Sequence, residues 1–141
     1  MKKDKIKMYF DNEDELQECF EKWSPRLGLS NWIIGIRLSN KSEIPDGVGG
    51  WSEVDWVNKC GTIEILKKED MPETLFKQPH EATLIHEMLH FKFYSREGHD
   101  RDSDFYEMMQ HQLLEELAEA LFMAEHNLEC SWFTKQEGGR R

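Results

Sequence analysis

No run of this chain comes near the roughly 18–20 consecutive apolar residues that a bilayer-spanning helix requires, which excludes a membrane helix. The basic start, Met1-Lys2-Lys3-Asp4-Lys5, has no apolar stretch after it, so it does not read as a secretory leader, and a cytoplasmic location is the expectation. Cysteine is scarce: Cys19, Cys60 and Cys130 are the three present, widely spaced and without a C-x-x-C pair. Neither a disulfide framework nor a cysteine zinc ribbon is thereby indicated, and the three read as reduced thiols. Basic residues are also short, with 18 Lys and Arg against 28 Asp and Glu for a net charge of −10. The dense basic groups, Lys2-Lys3 with Lys5 and Lys7 and then Arg140-Arg141, lie at the chain ends, where a solvated tail is the ordinary reading. Phosphate backbones repel so acidic a chain, which argues against a nucleic-acid partner.

What is present suits one compact domain. The 141 residues are 38% hydrophobic and 33% charged, and five Trp with eight Phe supply bulky core material. Asp11-Asn12 followed by Glu15 marks a helix start, with a cap candidate and acidic residues in the first turn, and Leu16, Cys19, Phe20 and Trp23 form its apolar face through about residue 24, before Pro25. Residues 32–38, 51–57 and 62–66 read as strands, with a loop at 40–50, a turn at 58–61 and a polar connector at 67–79. A helix over 80–95 is apolar on nearly every side and is therefore expected to be buried. A last helix begins near Asp102-Ser103 and runs to about 126, with Phe105, Met108, Met109, Gln112, Leu113, Leu117, Leu121 and Phe122 as its stripe. The order predicts an α+β fold with a small, antiparallel-leaning three-stranded sheet. Residues 1–10 form an N-terminal segment, 11–127 the single domain and 128–141 a flexible tail.

The chemistry is carried by His86-Glu87-Met88-Leu89-His90. Histidines four apart on a helix share a face about 6 Å apart along the axis, and both imidazoles can reach one zinc ion. Glu87 projects beside them, placed to take a proton from a zinc-bound water as general base, while zinc polarises the scissile carbonyl. A catalytic zinc needs a third protein ligand. His99 is the first candidate, because Gly98 permits a turn that brings the chain back toward His90. Glu107 is the main rival, and Asp100, Asp102, Asp104 and His111 are further candidates. Acidic residues not bound to metal can instead fix a ligand imidazole's tautomer. Tyr94, Arg96 and Tyr106 are candidates to stabilise an oxyanion. The strand at 62–66 can offer its edge to an extended peptide.

The HEMLH motif, the later Gly98-His99 and the downstream Phe105 with Met108-Met109 resemble the SprT-like group of HExxH zincin metallopeptidases and the related small phage and prophage metallopeptidases. The resemblance spans roughly residues 11–126, with its specific motifs confined to 84–109. It implies a zincin-like fold, zinc held by His86, His90 and His99, and Glu87 as catalytic base. Other small zincins use a third-helix glutamate, the role open to Glu107. The cysteine ribbon that follows many such domains is absent, and no DNA targeting is inherited. The expected activity is a narrow-specificity, zinc-dependent cleavage of a protein or peptide. The alternatives are a non-catalytic zinc-binding module and an endonuclease of the rRNA-maturation type, whose H-x-x-x-H motif needs no glutamate.

Overall fold

The computed structural model describes residues 6–73, 77–93 and 103–135, with the backbone alone for 103–106. The elements in chain order are helix α1 (Glu13–Arg26), strands β1 (Ile33–Ser39), β2 (Gly50–Asp55) and β3 (Cys60–Leu66), and helices α2 (His80–Leu89) and α3 (Ser103–His126). The α+β order read from the sequence is the order observed.

Helix α1 starts where its cap chemistry dictates. Asn12 Oδ1 accepts the Glu15 N–H at 3.0 Å, satisfying one of the donors the helix leaves open, and Glu15 Oε1 reaches back to accept the Asp11 N–H, just before the cap, at 2.8 Å. Leu16, Cys19 and Trp23 form its buried face. The helix continues past Pro25 to Arg26.

The sheet is mixed rather than antiparallel-leaning. Its order is β1-β3-β2, with β1 parallel to β3 and β2 antiparallel to β3. The β2–β3 pair is a local hairpin. The chain between β1 and β2, residues 40–49, carries β2 beyond the place that β3 then fills. Ile36 therefore stands opposite Ile63, and Leu38 opposite Ile65. Alternate residues of these strands turn to the core, and Ile63 and Ile65 are fully buried. Because β3 is paired on both sides, the edge expected at 62–66 is not free; β2 carries it instead.

Helix α2 packs against β2, β3, α1 and α3, and every residue of it except Glu81 is buried. Leu84, Ile85 and Met88 are fully buried, each worth about 1.5–3 kcal/mol of apolar transfer. Polar groups tie this helix in place. Glu81 accepts from Trp23 Nε1 at 2.7 Å, pairs with Lys22 Nζ at 2.8 Å and meets His126 Nε2 at 2.7 Å, linking three helices. Burial alone would raise the Glu81 pKa, but the bonds from Lys22, Trp23 and His126 hold it below the usual range. His80 fastens the N-terminal segment: its Nδ1 accepts the Phe10 N–H at 2.9 Å, its Nε2 faces the Leu66 carbonyl at 2.9 Å, and its own N–H donates to Met8 O at 2.7 Å.

Helix α3 is turned relative to the expected stripe. Of that stripe Phe122 is buried and Leu117 and Leu121 pack against the core, but Met108, Met109 and Leu113 are exposed, and Leu114 and Ala118 are buried in their stead. This places the row Glu107, His111 and Glu115, spaced by one turn each, on the side that borders the cleft described below. Asn127, with φ at 53°, ends the helix in the left-handed conformation that an Asn tolerates. The chain after it is not a frayed tail throughout. Phe133 is buried, and Trp132 and Phe133 pack on Phe122 with ring centroids 5.5 and 5.8 Å away, so the core extends into the segment expected to be flexible. No described helix is long and apolar enough to cross a membrane.

Candidate metal centre and catalytic cleft

The buried helix α2 brings His86 and, at its C-terminal cap, His90 to one side, as their spacing requires. From α3, His111 completes the group: the ligand atoms of His86, His90 and His111 all lie within 4.8 Å of one another. His86 Nε2 and His111 Nδ1 are 3.1 Å apart. Two nitrogens bound to one tetrahedral zinc are separated by about 3.3 Å, so this pair already stands at ligand spacing. The ring centroids are 4.7–5.5 Å apart, with none stacked face to face. Such a donor set, all imidazole, suits zinc.

The rings differ in their surroundings. Burial pushes the His90 pKa down to about 4, with help from the nearby His86 and His111. Burial likewise lowers His111, aided by His86. Both are thus held as neutral imidazoles, the form that ligates. Burial works in the same direction on His86, yet its pKa is raised, because Glu115 and the charge of Glu87 together outweigh that effect. Glu115 Oε1 lies 3.5 Å from His86 Nδ1 and accepts from Gln78 Nε2 at 2.9 Å.

Glu87 is buried beside the cluster, 6% exposed. Burial pushes its pKa up to about 7, against the opposing effects of His86 and a hydrogen bond with Ser52. A carboxyl poised there is matched to proton transfer near neutral pH. Glu87 and the three histidines line one cleft of about 730 Å³, walled by β2 and residues 47–49 on one side and by α3 on the other. Among the described residues the lining holds Glu53, Glu87, Glu107 and Glu115 and no lysine or arginine.

Of the site residues expected from sequence, His86, Glu87 and His90 come together. Glu107 borders the cleft but does not belong to the group of converging ligand atoms. His99, Tyr94, Arg96, Asp100 and Asp102 lie outside the described residues, as do the side chains of Asp104 and Tyr106. His111 stood among the lesser candidates, and Glu115 was not singled out. The signal for both was a polar row, Glu107, His111 and Glu115, at four-residue intervals along α3. The fold and site define an α+β domain with a three-histidine cluster beside a buried glutamate. No protein-family model, curated protein or solved structure matches the chain.

Proposed function

We propose that the chain is a zinc-dependent metallopeptidase with a zincin-like arrangement, in which His86, His90 and His111 hold the ion and Glu87 is the general base. The observation that carries this reading is the convergence of three imidazoles and one buried carboxyl on a single cleft. Zinc bound there would supply Lewis-acid polarisation of a scissile carbonyl and acidify water. The remaining work falls to the chain's own groups. Glu87, with a pKa near 7, takes a proton from water in the cleft and passes it to the leaving amine. The outer edge of β2, which also lines the cleft, offers backbone partners to an extended peptide and orients its scissile bond. The HEMLH resemblance to SprT-like zincins supports the same reading, with His111 in the place that resemblance gave to His99. An RNA substrate has less support, because the described lining carries four glutamates on a chain of net charge −10, which disfavours phosphates.

The test compares zinc-loaded wild type with Glu87→Gln on a peptide library and an unfolded protein. Glu87→Gln should retain its zinc and lose about 10²–10⁴-fold in hydrolysis. Equal activity in the two would overturn the role of Glu87. No cleavage by the zinc-loaded wild type would favour the non-catalytic zinc-binding module.

A further inference from the structure

Glu115 faces the ligand His86 from the opposite helix. Its Oε1 stands 3.5 Å from His86 Nδ1, while His86 Nε2 is turned the other way, 3.1 Å from His111 Nδ1. The same Oε1 accepts from Gln78 Nε2 at 2.9 Å, so Glu115 is itself held. These contacts form one line: Gln78, Glu115, His86, His111.

A neutral imidazole carries its proton on one nitrogen and its lone pair on the other, and only the lone pair can bind a metal. A carboxylate beside Nδ1 favours the tautomer with the proton there, which leaves Nε2 open toward His90 and His111. The 3.5 Å separation is long for a formed hydrogen bond but within the reach of a charge–dipole contact that favours a proton on Nδ1. Glu87, the other carboxyl acting on His86, is engaged by Ser52 instead. Glu115 lies four residues after His111, so one face of α3 supplies both a ligand and the group that orients a ligand on α2.

We propose that Glu115 is a positioning residue that holds His86 as its Nδ1–H tautomer with Nε2 aimed at the metal, and that Gln78 fixes Glu115 for this task. The proposal rests on the three-histidine metal reading. It makes α2–α3 docking and ligand orientation a single event: a helix displaced by one turn would lose His111 and the correct His86 tautomer together.

The experiment uses the full chain and long-range ¹H–¹⁵N NMR of the imidazoles, without metal and at a pH high enough to keep His86 neutral, alongside zinc titration. Wild type should show His86 protonated at Nδ1. Glu115→Ala should shift it toward the Nε2–H form and weaken zinc binding about 10–100-fold. Glu115→Gln, whose amide oxygen still accepts from Nδ1–H, should restore the tautomer and most of the affinity, which a merely structural role would not require. Gln78→Ala should produce a weaker version of the Glu115→Ala result, and it serves as the second variant if Glu115→Ala fails to fold. A His86 tautomer or a zinc affinity unchanged in Glu115→Ala overturns the proposal. A tautomer shift in a chain whose wild type binds no zinc refutes the metal reading, and the proposal falls with it, recognisably for that reason.

Discussion

Gly50, the first residue of β2, lies against Glu87 so closely that a β-carbon there would stand 3.1 Å from both Cγ and Oε2 of the glutamate and 2.9 Å from Thr83 Cγ2. The absence of a side chain at Gly50 lets the strand backbone close over the carboxyl and keep it dry. Gly50→Ala is expected to move Glu87 rather than the ligands. Hydrolysis should fall by tenfold or more while zinc stoichiometry is kept, and overpacking should lower stability by about 1–3 kcal/mol. Peptide-cleavage rates and zinc content, measured together with chemical denaturation, check this; unchanged cleavage would show that Glu87 tolerates the shift.

His80 should make the fold acid-sensitive. Burial holds its pKa down to about 4, against an ordinary value of 6.5, and its Nδ1 is occupied by the Phe10 N–H. The unfolded chain therefore takes up the proton first as pH falls. The stability tied to neutral His80 is complete above about pH 6.5 and is lost progressively down to about pH 4, amounting to about 3 kcal/mol. His80→Phe keeps a ring but removes the acceptor, costing about 1–3 kcal/mol at pH 7.5. The gap between wild type and variant should narrow as the pH approaches 4. Urea unfolding at several pH values reads it, and a constant gap would contradict the assignment.

Metal binding should depend on His111 and not on His99. In wild type, zinc at a hundred times its dissociation constant should add about 2.7 kcal/mol, a rise of roughly 10 °C in melting temperature for a domain of this size. His111→Ala should abolish most of that rise, as should His86→Ala, whereas His99→Ala should keep it. Thermal melts with and without zinc, and after chelation, decide the matter. The reverse pattern would return the third-ligand role to His99.

The half of the site contributed by α2 was legible because it is local. A spacing of four on an apolar helix fixes a shared face whatever the rest of the chain does, and His86, Glu87 and His90 follow from it. The start of α1 was legible for the same reason, through Asp11-Asn12 and Glu15, and of the pair it is Asn12 that caps. His111 was not, because its place depends on the rotation of α3 against α2. The side chains of Met108, Met109 and Leu113 suggested one rotation for the first half of α3, and the packing of Leu114 and Ala118 settled on another. The parallel pairing of β1 with β3 escaped for a related reason, since strand periodicity shows which face is apolar but not which neighbour a strand takes. His80 was hidden because nothing in its local sequence announces the backbone groups of Phe10 and Leu66 that it joins.

The three-histidine cluster also has a consequence for chain topology. The thiols of Cys19, Cys60 and Cys130 are free, so among the described residues no covalent cross-link limits the unfolded ensemble. An ion held by His90 and His111 closes the chain between them into a ring of about twenty residues, a closure that in a disulfide is worth roughly 3 kcal/mol of lost unfolded-state entropy. The metal would thus serve this reduced protein as a reversible staple, one that a chelator or acid opens and no thiol can.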